Sequence, residues 1–200
     1  VETSNHFRCI DLIIDHAAST LSEHFIQKLH HNSETSTSDS RKAGSPLASI
    51  SACQMRSAVC RPHFRKKLPI EWKALLSDYN AVPKKTLDDI LDFHVRFESI
   101  HPFQDGNGRV GRLIMFKECL KYNIVPFIIE ENLKLFYYRG LKEWYNEKGY
   151  LTDTCLTAQD KYKAYLDYFR IPYEKWTREA VLIWERLLLY RLSYIIWLIF

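Results

Sequence analysis

His101-Pro-Phe-Gln-Asp105-Gly-Asn-Gly-Arg109-Val-Gly-Arg112 is the stretch from which the rest of the chain is read. Pro102, Gly106 and Gly108 resist helix, so the first half is a loop. From about Arg109 the apolar spacing turns helical, with Leu113, Phe116 and Leu120. The glycine-rich turn Gly106-Asn107-Gly108 therefore stands directly before a helix. Glycines let a backbone approach closely and turn its N–H groups toward one point, and the helix start adds partial positive charge there. That is an anion site suited to phosphates. Arg109 and Arg112 are placed to grip phosphate oxygens bidentately. Asp105 is a carboxylate beside them, the usual holder of a Mg²⁺ ion that bridges phosphates. His101 brings an imidazole that takes a proton from an attacking hydroxyl near neutral pH. Singly, each has a plain reading: a loop histidine, a turn, a solvated arginine face, a core Phe103. Together, in this order and spacing, they point to transfer of part of a nucleoside triphosphate to a hydroxyl.

Outward from the motif the pattern is helical. Residues 7–31 carry Phe7, Ile10, Ile14, Ala17, Leu21, Phe25 and Leu29 at helical spacing and predict one helix, with 32–40 a polar loop. A short helix is predicted over 70–79, with Trp72, Leu75 and Leu76 on one side. Thr86-Leu-Asp-Asp starts another that runs to about Ser99, its acids suiting the positive end. The helix after the motif is expected to stop at Pro126. Residues 131–148, 158–169 and 174–190 read as further helices, and only Val125–Ile129 reads as a short extended piece. The class is mainly α.

The 200 residues, 46% of them hydrophobic, suit one globular domain. Five cysteines, Cys9, Cys53, Cys60, Cys119 and Cys155, form no CxxC pair and are odd in number. Free thiols in a reducing cytoplasm are the expectation. The chain starts at Val1 with a polar stretch and no signal peptide, so it is expected to begin inside a longer protein or to lack its gene's start. Lys and Arg total 28 against 24 acids, and seven of the 28 lie in 41–67, where no acid occurs. The remainder carries 21 basic against 24 acidic residues, which speaks against nucleic acid as a partner.

The motif resembles the signature of the Fic (Fic/DOC) family, His-x-Phe-x-(Asp/Glu)-Gly-Asn-Gly-Arg-x-x-Arg, at every signature position. The likeness continues in Leu91-Asp-Phe-His-Val-Arg-Phe-Glu-Ser-Ile before it and Tyr137-Tyr138-Arg-Gly-Leu after it, so that 1–175 are identified as a Fic domain. The resemblance implies a Fic-fold helical bundle and transfer of AMP from Mg-ATP to a Ser, Thr or Tyr hydroxyl of a target protein. It implies His101 as base and Asp105 as Mg²⁺ ligand. The nucleotide then falls to Phe103, Gly106, Asn107, Gly108, Arg109 and Arg112, with Arg112 toward the γ-phosphate and Tyr138 near the adenine. In the related Doc branch a lysine replaces the second turn glycine and the γ-phosphoryl group moves instead; Gly108 favours AMP transfer. Other relatives move UMP or phosphocholine, or remove AMP. A homodimer, and an antitoxin or inhibitory segment as partner, are also within what the family implies.

The chain departs from the family in three places. Residues 43–68 lack the strand alternation of the usual β-hairpin flap, which is therefore expected to be disrupted. Codons spelling Ala43-Gly-Ser-Pro-Leu-Ala-Ser onward can, read two bases later, spell a flap-like Trp-Phe-Ala-Val-Gly-Glu-Tyr-Lys, so a pair of compensating frameshifts is one reading and a disordered loop the expected result. A decayed, nucleotide-binding domain without activity is the matching alternative function. Secondly, the family's inhibitory (Ser/Thr)-x-x-x-Glu-(Gly/Asn) element has only an imperfect match in Ser19-Thr-Leu-Ser-Glu23-His24, so Arg112 is expected to be unblocked. Thirdly, 176–200 read as a C-terminal helix and apolar tail. That tail is too short, and too interrupted by Arg191, to span a membrane.

Overall fold

The computed structural model describes residues 2–34, 62–103 and 105–172, and within these the chain is helical with no strand. The helices are α1 (Glu2–Asp15), α2 (Glu23–Glu34), α3 (Pro62–Ala81), α4 (Leu87–Ile100), α5 (Asn107–Lys121), α6 (Lys134–Glu143) and α7 (Gly149–Tyr168), with a 3₁₀ turn at Glu131–Leu133 before α6. The mainly α class is as expected from the sequence. The flap positions 43–61, Cys53 and Cys60, the helix expected over 174–190 and the tail 176–200 lie outside the described residues. Positions 62–68, expected within a loop, instead extend the helix predicted over 70–79 backward.

The helix predicted over 7–31 is two helices. Ser19 donates its hydroxyl to the His16 carbonyl at 2.7 Å, and Ser22 accepts the Phe25 N–H at 3.2 Å as the cap of α2. Hydroxyls that bond nearby backbone give the chain an alternative to continuing the helix. The hairpin is antiparallel: Asn5 Nδ2 donates to Ser33 O at 3.3 Å while Cys9 Sγ reaches Leu29 O at 3.6 Å.

The chain divides into two units, Val1–Lys84 with Asp92–Ile114, and Lys85–Leu91 with Met115–Phe200. In the first, the apolar rows of α1 and α2 bury Ile13, Ile26 and Leu29, and α3 lays Trp72 and Tyr79 against Phe97 and Phe93 of α4, centroids 5.8 and 4.6 Å apart. Asn80 ties the end of α3 to the Leu21 carbonyl at 2.9 Å.

In the second unit, Thr86 and Asp89 form the capping box that the acid-rich start of α4 announced: Asp89 N–H donates to Thr86 Oγ1 at 3.3 Å and Thr86 N–H to Asp89 Oδ2 at 2.8 Å. Helix α5 stops at Lys121, not at Pro126. Asn123 takes φ +56, its N–H bonds to Leu120 O and that of Ile124 to Cys119 O, a Schellman ending that a left-handed asparagine tolerates. Val125–Ile129 pair with no strand; the Val125 carbonyl accepts the Gln159 side chain instead. The segment 131–148 is helical only to Glu143, and α7 starts nine residues ahead of the predicted 158. Trp144, Leu151, Cys155, Tyr162 and Leu166 fill this unit's core. Lys117 and Glu118, both fully buried, pair at 2.7 Å. No described helix is long and apolar enough to cross a membrane. Cys9, Cys119 and Cys155 are buried free thiols.

Candidate functional site

Helix α4 ends at Ile100, and His101 follows it with φ +52, its N–H bonded to Phe97 O at 3.0 Å. One left-handed residue closing on the carbonyl four back ends a helix cleanly, at a cost of about 1–2 kcal/mol for a residue other than glycine. Pro102 then bars continuation. The imidazole of His101 is left exposed at the mouth of the loop.

Asn107 closes that loop. Its Oδ1 accepts the Phe103 N–H and its Nδ2 donates to the Phe103 carbonyl, each at 2.8 Å. The Phe103 ring is buried, 6.4 Å from Phe97 and stacked on His30 with centroids 4.0 Å apart and planes 4° off parallel. Phe103 and the Asn107 side chain thus point inward and shape the loop; what Asn107 offers a ligand is its backbone N–H.

Gly106, at φ +74, accepts the Val110 N–H at 3.0 Å and so caps α5. Asn107 and Gly108 lie ahead of that first intrahelical bond, in the first turn of the helix, whose N–H groups have no carbonyl of the preceding turn to bond. Asp105 is exposed, and its Oδ1 accepts the Gly106 N–H at 2.7 Å. Arg112 folds back over Gly108, where an added Cβ would stand 3.1 Å from Nη1. On α4, Glu98 and His94 lie near this arginine. Burial holds His94 down at about 3, with the Arg112 charge pushing the same way, and burial raises the Glu98 carboxyl against the opposing pull of Arg112.

Two residues of α2 escaped the sequence reading. His30, buried, has Nε2 at 3.1 Å from the Asp105 carbonyl. Burial pushes its pKa down to about 4, so the ring is neutral near pH 7. A carbonyl only accepts, so the proton sits on Nε2. Glu34, also buried, places its carboxylate on Arg109, with Nη2 at 2.9 Å from Oε1 and 3.1 Å from Oε2. The same Oε1 would be 2.4 Å from a Cβ at Gly106, so the carboxylate occupies the room the glycine leaves. The signal was present: Ile26, His30 and Glu34 follow at i, i+4 and i+8, a buried row continued by polar residues. The Ser/Thr-rich run after Asn32 masked it, because it placed the helix end too early.

The loop and helix start thus bring Asp105, Gly106, Gly108, Arg109 and Arg112 to one junction, with His101 at its entrance. Tyr138 lies in the other unit, exposed on α6 beside the buried Tyr137, ring centroids 5.5 Å apart. Among the described residues no three His, Cys, Asp or Glu side chains gather as a metal cage. A lone exposed carboxylate beside an anion site fits Mg²⁺, which takes one or two carboxylates and completes its shell with phosphate and water.

Helix α5 thus starts on a glycine, with Arg109 and Arg112 in its first turns, and the exposed His101 lies in the loop before it. Residues 20–119 match the model of the Fic/DOC family, and the chain belongs to that family. It is 54% identical over 35 residues to a probable protein adenylyltransferase of Aquifex aeolicus, a match covering 16% of this chain and 11% of that relative.

Proposed function

We propose that this chain is a protein adenylyltransferase that moves AMP from Mg-ATP to a Ser, Thr or Tyr hydroxyl of a target protein. The observation that carries this reading is the junction itself: a glycine-capped helix start, two arginines and a carboxylate, with His101 turned out beside them by its positive φ. In the proposed reaction the target hydroxyl gives its proton to His101. Its oxygen forms a bond to the α-phosphorus while the bond from that phosphorus to the bridging oxygen breaks, and pyrophosphate leaves. The backbone N–H groups at the start of α5, with Arg109 and Arg112, orient the phosphates and offset their charge. Asp105 is the residue to hold Mg²⁺, which supplies further charge neutralisation at the phosphates. Gly108 stands where the Doc branch carries lysine, and this supports AMP transfer over γ-phosphoryl transfer. Three buried free thiols agree with a cytoplasmic setting.

A second reading, a nucleotide-binding domain without turnover, draws on one observation: Arg109 is engaged by Glu34. Label transfer to a cell lysate from α-labelled and γ-labelled ATP separates the readings, with His101→Ala as control. Transfer of the α label, lost in the variant, is the expected result. Transfer of the γ label alone would mean a phosphotransferase. ATP binding with neither label moving would leave the binding domain.

A further inference from the structure

The peptide joining Asp105 to Gly106 is held from both sides. Being trans, it points its carbonyl and its N–H in opposite directions. The carbonyl meets His30 Nε2 at 3.1 Å, and the N–H meets Asp105 Oδ1 at 2.7 Å. Glycine at its C-terminal side lets this peptide flip cheaply, because Gly106 has access to either sign of φ. A flip would turn an N–H toward the N–H of His30 and a carbonyl toward the Asp105 carboxylate, two repulsive pairs in place of two attractive ones. His30 cannot drift away from this contact, since its ring is stacked flat on Phe103 in the interior. Its other ring nitrogen, Nδ1, is buried without a hydrogen bond among the described residues, so the Asp105 carbonyl is the ring's polar anchor.

We propose that His30 is a positioning residue that selects one orientation of the Asp105–Gly106 peptide, and through it fixes the backbone entering the phosphate site and the Asp105 carboxylate folded over the turn. The consequence for nucleotide binding rests on the adenylyltransferase reading; the consequence for the loop does not.

The test uses the full chain with two variants. His30→Phe keeps a flat ring on Phe103 and removes the donor. His30→Gln returns an N–H donor near the place of Nε2 without the ring. Hydrogen exchange of the Gly106 amide is followed in the unliganded protein, Mg-ATP binding by calorimetry, and Tm for each variant. In His30→Phe, Gly106 exchange and the Mg-ATP Kd are expected to rise roughly tenfold, the scale of one lost hydrogen bond, and His30→Gln is expected to restore most of both. Unchanged exchange at Gly106 in a folded His30→Phe overturns the proposal. So does a loss in both variants that merely follows Tm, which would make the ring a packing element only. Should the wild type bind no Mg-ATP while Gly106 exchange behaves as expected, the nucleotide reading falls and the loop assignment stands.

Discussion

Arg109 meets two anions in turn. In the structure it grips Glu34, with 15% of the arginine side chain and 4% of the glutamate exposed. In the proposed reaction it grips phosphate. The two compete for one guanidinium, so Glu34→Gln, which keeps the shape and removes the charge, is expected to tighten Mg-ATP binding by about tenfold, the scale of one charge-assisted bond. Calorimetry checks this, and weaker binding would mean that Glu34 orients Arg109 for the phosphates instead of withholding it. Arg109→Ala is expected to abolish the binding and also to cost about 3 kcal/mol in urea unfolding, because it strands a buried carboxylate. Asn107 makes a different expectation. Its amide satisfies both backbone groups of Phe103, so Asn107→Ala is expected to lower stability by about 2 kcal/mol through two orphaned buried groups. A urea midpoint unchanged from wild type would show that water replaces the amide. Of these residues, Arg109 and Asn107 were legible in the sequence because the motif fixes their spacing. The inward turn of Asn107 was not, since it depends on a carbonyl and an N–H of Phe103 that no side-chain pattern reveals. For Glu34 and His30 the helical row was legible but their contact with the motif was not, since they reach it from a helix about 75 positions away in sequence.

Helices α6 and α7 touch at Gly140, where an added Cβ would stand 2.6 Å from the Leu151 Cα and 2.8 Å from its N. Those are backbone atoms and cannot rotate aside. Alanine in place of a mid-helix glycine ordinarily gains about 1 kcal/mol. Here the clash decides the sign, and Gly140→Ala is expected to destabilise by about 1–3 kcal/mol, the cost of overpacking a filled contact. Thermal unfolding of the variant reads this directly, and a raised Tm would show that α6 shifts freely. The start of α7 was misplaced from the sequence for a separate reason. At the start of α7 the N-cap residue Lys148 makes no side-chain cap, and Gly149 N–H is met by Glu147 Oε1 at 3.1 Å instead. Nothing in the periodicity marks it. By contrast the start of α4 was legible, because Thr86 and Asp89 carry their own capping chemistry. The break between α1 and α2 lay between these cases. Ser19 and Ser22 signalled it, but Leu21, Phe25 and Leu29 keep the phase of Ile10 and Ile14 closely enough to suggest one helix.

At the scale of the molecule, histidine is distributed unequally. All eight histidines of the chain precede residue 102, and none lies in Lys85–Leu91 or Met115–Phe200, so the first unit carries every one. Among the described residues three are buried and held neutral: His6 at about 4, His30 at about 4 and His94 at about 3, each from a starting value of 6.5 and each chiefly because burial penalises the charged ring. Above pH 6.5 these rings are neutral folded or unfolded and do not bias the balance. Below it the unfolded chain takes up protons that the folded one refuses. Stability therefore falls with pH from about 6.5 down to the folded values, by about 1.4 kcal/mol per pH unit for each ring and roughly 4 for the three together. Against a total stability of about 5–15 kcal/mol, that slope is enough to open the first unit before pH 4. Amides of α2 are accordingly expected to lose hydrogen-exchange protection between pH 6 and 4, together with those of the loop before α5, while those of α7 hold until carboxylates titrate. Loss of α7 protection at the same pH would mean that the two units unfold as one cooperative body. Loss of α7 first would show that the second unit, not the histidine-bearing one, is the acid-sensitive part.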